Sequence, residues 1–80
     1  MNWRKEASYL KDYLNDSGLR WEMFETMDSF EFEVEWRDQE ADFIIDESGI
    51  LLKVDGKFFS ENTGPFDSTD DALWQFESYF

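Results

Sequence analysis

Neither cysteine nor histidine occurs in this chain of 80 residues, and proline occurs once. Without cysteine there is no disulfide framework, zinc–thiolate centre or redox thiol. Without histidine the commonest general base is missing, and with it every Ser–His or Cys–His nucleophile arrangement. Glycine is scarce too: Gly18, Gly49, Gly56 and Gly64 are scattered, each suits a turn, and none belongs to a phosphate-cradling loop. Positive charge is the last shortage. Seven Lys and Arg stand against twenty Asp and Glu, a net charge of −13, and no basic cluster forms beyond Arg4-Lys5. Such a chain repels phosphate, so direct nucleic-acid binding is not expected. No apolar run reaches the length of about eighteen residues that a membrane span needs, and the N-terminus is polar, unlike a signal peptide. A soluble cytoplasmic protein is the expectation.

Aromatic residues, by contrast, are plentiful: nine Phe, four Trp and three Tyr make up 20% of the chain. A chain this short buries only about 60% of its unfolded surface, so its core must be rich per residue. Large aromatic side chains supply that richness and argue against disorder despite the charge. One domain over residues 1–80 is expected.

The apolar periodicity divides the chain into three parts. Trp3, Ala7, Leu10 and Leu14 follow a 4-3-4 spacing that predicts a helix over residues 2–16, flanked by Tyr9 and Tyr13 and ended near Gly18. Strands are expected at 19–27, where Phe24 and Met27 break the alternation and point to a bulge or turn near Glu25, and at 30–37, where "FEFEVEWR" alternates without a miss. Asp38-Gln39-Glu40 reads as a polar turn, followed by strands in "ADFIID", "ILLKV" and "KFF" separated by turns at 46–49 and at Asp55-Gly56. "ENTGPF" reads as a loop. "DSTDDALWQFESYF" reads as a second helix, with Ser68 as N-cap, Asp71 completing a capping-box-like pattern, and Ala72, Leu73, Phe76, Tyr79 and Phe80 on its apolar face. The expected fold is α+β: an N-terminal helix, an antiparallel meander of four to five strands, and a C-terminal helix, both helices packed on one sheet face.

The acidic residues concentrate in one segment. Residues 22–47 carry eleven carboxylates against Arg37 alone. Glu31, Glu33 and Glu35 form the outer row of the alternating strand, about 6.6–6.8 Å apart, and Asp42 and Asp46 belong to the same face. Asp38, Glu40 and Glu47 fall at the turns, and Glu22, Glu25 and Asp28 extend the patch. Acids on a sheet face do deter aggregation, yet a surface serving solubility alone mixes both signs. A partner-binding surface is therefore expected, one that steers a basic groove and weakens with salt.

Catalysis and metal chemistry are not expected. Two carboxylates acting on a glycoside must face each other across a cleft, and a small sheet-and-helix domain offers little concave volume. Asp38, Glu40 and Asp42 have the 1-3-5 spacing of a calcium loop, but Phe43 and Gly49 stand where that loop needs glycine and glutamate. No cofactor is implied.

With its small size, lack of cysteine and histidine, acidic charge and helix–meander–helix layout, the chain resembles in character the phage-encoded inhibitor proteins: DNA mimics and anti-CRISPR and anti-restriction proteins. The resemblance spans the chain without an alignable motif. It implies that "EFEVEWRDQEADFIIDE" occupies the nucleic-acid-binding groove of a bacterial CRISPR effector, restriction enzyme or nuclease. Two alternatives share the composition. One is an immunity protein or antitoxin that plugs a basic toxin. The other is an adaptor with an aromatic contact surface, for which Trp74 is the candidate anchor.

Overall fold

In a computed structural model, which describes residues 2–55, 57–58 and 65–79, the chain runs α1 (Trp3–Ser17), β1 (Arg20–Glu25), β2 (Ser29–Trp36), β3 (Gln39–Asp46), β4 (Gly49–Val54), β5 (Lys57–Phe58) and α2 (Thr69–Tyr79). The expected order of helix, antiparallel meander and helix is the order observed, and the fold class is α+β. Neighbouring strands in sequence are neighbours in the sheet, and every pairing is antiparallel. The two-residue β5 pairs through Lys53↔Phe58 and Val54↔Lys57. Gly56, Phe59, residues 61–64 of the expected loop, the side chain of Tyr79, and Phe80 lie outside the described residues.

The alternation in sequence becomes two unlike faces. Phe32, Val34, Ala41, Phe43, Ile45, Ile50, Leu52 and Val54 are buried on one side of the strands, with Ala7, Leu10 and Leu14 of α1 and Ala72, Leu73 and Phe76 of α2 in the same core. Trp3 stacks at a tilt on Phe30, with centroids 5.5 Å apart. Phe76 meets Phe43 edge-on at 5.4 Å and Trp36 at 6.1 Å. Such edge and tilted contacts add about 0.5–1.5 kcal/mol each to the area they bury.

The helix ends follow elementary capping rules. Asn2 accepts from Lys5 N at the start of α1, and Gly18 ends it in the left-handed conformation with φ 77°. Ser68 Oγ accepts from Asp71 N at the start of α2, as its N-cap role requires. A second cap comes from far along the chain: Glu6 Oε1 accepts from Thr69 N at 2.8 Å, and Thr69 Oγ1 donates to the Glu6 carbonyl at 2.8 Å. A carboxylate at a helix N-terminus satisfies an orphan amide and faces the positive end of the dipole. Lower down, Tyr13 donates to Glu77 at 2.8 Å. Burial, then this bond and the Glu77 charge, push the Tyr13 phenol from 10.0 up to about 12.

Four readings of the sequence need correction. Between β2 and β3 the turn is Arg37-Asp38, with Trp36 paired to Gln39 and Arg37 at φ 57°, so Gln39 and Glu40 belong to a strand and Arg37 does not. Of the bulge or turn expected near Glu25, the turn is what forms: β1 keeps a continuous register from Arg20↔Glu35 to Glu25↔Phe30 and ends there, not at residue 27. The chain turns at 26–28, where Thr26 Oγ1 accepts from the amides of Asp28 and Ser29. Phe24 keeps the alternation and simply exposes an aromatic ring on the outer side. Phe66, expected in a loop, bridges Ile50 through both backbone bonds, Ile50 N to Phe66 O at 3.0 Å and Phe66 N to Ile50 O at 2.7 Å.

That bridge explains why residue 49 is glycine. Its φ is 134°, and a Cβ there would collide with the Pro65 side chain and lie 2.8 Å from the Phe66 carbonyl oxygen. Around Gly18, also at positive φ, a Cβ meets only open space. Gly49→Ala is therefore expected to cost about 3 kcal/mol from strain and overlap together, against about 1 kcal/mol for Gly18→Ala. Denaturant midpoints of the two variants check the difference. Glu6→Ala should cost about 1–2 kcal/mol by uncapping α2, seen as a lower melting temperature.

Candidate acidic binding face

Directly opposed residues in an antiparallel sheet point to the same side, so the register defines the outer face row by row. One row across the strands reads Glu22, Glu33, Asp42 and Lys53. The next, toward the Arg37-Asp38 turn, reads Arg20, Glu35 and Glu40. On the other flank lies a row of Phe24, Glu31, Ile44 and Leu51. Neighbours are about 4.7–4.9 Å apart across the strands and about 6.6–6.8 Å apart along them. Three adjacent strands thus present carboxylates on a two-dimensional lattice.

Glu33 sits at its centre. Desolvation first, then the negative fields of Asp42, Glu40, Glu31 and Glu22, hold its carboxyl above the ordinary glutamate value. Carboxylate oxygens of Glu31, Glu33 and Asp42 can all come within 4.8 Å of one another. Compensating charge stands at both margins: Arg20 lies 4.0 Å from Glu35, both largely exposed, a pair worth at most about 1 kcal/mol, and Lys53 is directly opposite Asp42. Beside these groups the face is hollowed. A depression of about 660 Å³ is lined by Arg20, Trp21, Glu22, Glu33, Glu35 and Glu40, among others. The concavity is larger than the sequence led one to expect, and it is acidic.

Of the eleven carboxylates expected to form the patch, the register gathers Glu22, Glu31, Glu33, Glu35, Glu40 and Asp42 on the open face. Asp46 belongs to the same side at the end of β3, where its carboxylate accepts from Ser48 N and Ser48 Oγ and so closes the next hairpin. Glu47 follows in that turn, and Asp28 lies at the same end of the sheet; both line a small hollow with Trp3 and Asp46. Asp38 is at the opposite end, in the Arg37-Asp38 turn. Glu25 falls on the other side of the sheet. Its strand partner is Phe30, and it lines a hollow with Arg4, Lys11 and Met23. The apolar members of the face, Phe24, Ile44 and Leu51, were not singled out beforehand. The available signal was an aromatic residue, Phe24, at a position whose parity with Trp21 and Met23 sends it outward.

No family model, no curated protein and no solved structure matches the chain.

A raised carboxyl pKa has a definite sign in folding. Folded Glu33 holds its proton to higher pH than the unfolded chain does, so its own contribution to native stability falls as pH rises through the carboxylate range. Glu33→Gln should therefore melt higher than the parent near neutral pH, and the gap should close below about pH 4, where the glutamate is protonated in both states. Melting curves across that pH range check it.

Proposed function

We propose that the chain is an acidic binding protein that inhibits a nucleic-acid-binding protein by presenting carboxylates where phosphates would lie. The observation that carries this reading is the register, which collects Glu22, Glu31, Glu33, Glu35, Glu40 and Asp42 from three strands onto one open, hollowed face. Like charges directly opposed across strands oppose folding. A basic partner removes that repulsion on binding, and an arrangement that costs the free protein becomes a favourable term in the complex.

A DNA strand presents one phosphate per about 3.4 Å of axis, so the row along β2 spaces its charges like every second phosphate. Steering by such a face speeds encounter with a basic groove and is screened by salt. The partner belongs to the class implied by the resemblance in character: a CRISPR effector, a restriction enzyme or a nuclease. An immunity protein directed at a nuclease toxin would use the same face.

A second contact surface is favoured by one further side chain. Trp74 is 66% exposed on α2, the helix whose Phe76 packs on the covered side of the sheet. An adaptor would anchor there, on α2 and not on the acidic sheet face.

The variant Glu31→Lys/Glu33→Lys/Glu35→Lys is expected to lose the ability to displace a labelled duplex from the partner, with an unchanged circular dichroism spectrum. Displacement by the parent should fall steeply from low to high salt. A folded triple variant that still displaces the duplex would remove β2 from the contact. Loss of activity in Trp74→Ala instead would move the contact to α2.

A further inference from the structure

The outer face is more than a field of charge, and its apolar row says what it meets. Phe24 is 48% exposed, and Ile44 and Leu51 are partly exposed beside it, with Glu31 between Phe24 and Ile44. No described element covers this side: the ring contacts of both helices, Trp3 on Phe30 and Phe76 on Phe43, are on the other. A surface that only imitates a phosphate backbone gains nothing from Phe, Ile and Leu exposed to water.

The two kinds of row lie side by side and run in the same direction. Across the strands, successive side chains are about 4.7–4.9 Å apart. An α-helix repeats one face every turn, about 5.4 Å, through positions i, i+3, i+4 and i+7. A helix laid along the rows therefore offers one side chain to each strand in turn. Four strands span about 14 Å, which about ten helical residues cover. The acidic row Glu22, Glu33 and Asp42, which ends in Lys53 on β4, and the apolar row Phe24, Ile44 and Leu51 are about 6.6–6.8 Å apart, so the basic flank of such a helix lies over β1 to β3. A helix about 10–12 Å across touches both at once, with two adjacent flanks.

From this juxtaposition we infer that the face seats a basic amphipathic helix of the partner, with Lys or Arg along one flank over Glu22, Glu33, Asp42, Glu35 and Glu40, and apolar side chains along the adjacent flank over Phe24, Ile44 and Leu51. The inference rests on the acidic-face function proposed above and names the element that the face recognises. Helices of this kind are what many nucleic-acid-binding proteins insert between phosphate rows. The charge complementarity sets the sign of the occupant. The apolar row sets its shape, because an extended polybasic tail has no apolar flank to place there.

Two synthetic helical peptides of about fifteen residues test this. One carries Lys along one flank and Leu along the adjacent flank; its twin has Gln for Leu and the same charge. Affinities for the whole protein are measured by fluorescence anisotropy at low and high salt. The Leu peptide should bind about tenfold tighter than its twin, and that ratio should survive high salt while both affinities fall. Phe24→Ser, at an exposed site where folding is least disturbed, should reduce the ratio about threefold, and Phe24→Ser/Ile44→Thr/Leu51→Thr should abolish it. Equal affinities for the two peptides, or a ratio unchanged by Phe24→Ser, would overturn the helix assignment while leaving the acidic face as a binding surface. Twin-peptide binding that is absent, or that persists in Glu31→Lys/Glu33→Lys/Glu35→Lys, would overturn both.

Discussion

The period-two alternation of β2, locked in register by an aromatic core, is the constraint on which everything else in this protein depends. Phe32 faces Phe43 and Val34 faces Ala41 across the β2–β3 ladder, all fully buried. Because alternate residues point to opposite faces, that register also settles where each carboxylate goes. A slip of one residue would drive Glu31, Glu33 and Glu35 into the core and Phe32 into water. Burying an unpaired carboxylate is among the most costly events in a protein interior. The inner face thus enforces the charge lattice of the outer one.

Seen this way, the acidity and the aromatic content are two sides of one economy. Desolvation of Glu33 and the repulsion of the carboxylates around it both raise its carboxyl pKa and work against the compact state. Large rings tied by contacts such as Phe43–Phe76 and Trp3–Phe30 supply the opposing stabilisation in a chain too small for a deep core. Neither property is independent of the other: fewer rings would not hold so dense a set of like charges together.

How much of this was legible before the fold was known follows from the range of each interaction. The helix with Trp3, Ala7, Leu10 and Leu14 on one face, the strands and their inward residues rest on local periodicity, and they stand where the spacing put them. Turns were less legible. Arg37 occupies a left-handed conformation at φ 57° that its side chain does not advertise, so the hairpin closed two residues earlier than its polar residues suggested. Glu25 carries the same charge as Glu22, yet strand parity sends it to the opposite face, and parity is counted from a register that only pairing reveals. The Glu6–Thr69 cap and the Phe66–Ile50 bridge join positions distant in sequence, and no local pattern encodes either. The acidic rows were half legible: the row along β2 is written in sequence, whereas the row from Glu22 through Glu33 to Asp42 exists only once three strands lie side by side.

The bond from Glu6 to Thr69 has a consequence for cooperativity. Its partners are 63 residues apart, and the Tyr13–Glu77 bond that accompanies it spans 64. Each helix supplies what the other lacks: α1 gives α2 a cap, and α2 gives the Tyr13 hydroxyl an acceptor. Opening either one strips the other of a partner, so the two helices form a single cooperative unit drawn from opposite parts of the chain. Their amides should share one opening free energy in hydrogen exchange, while the hairpins between them, closed by short local turns such as Arg37-Asp38, keep their own.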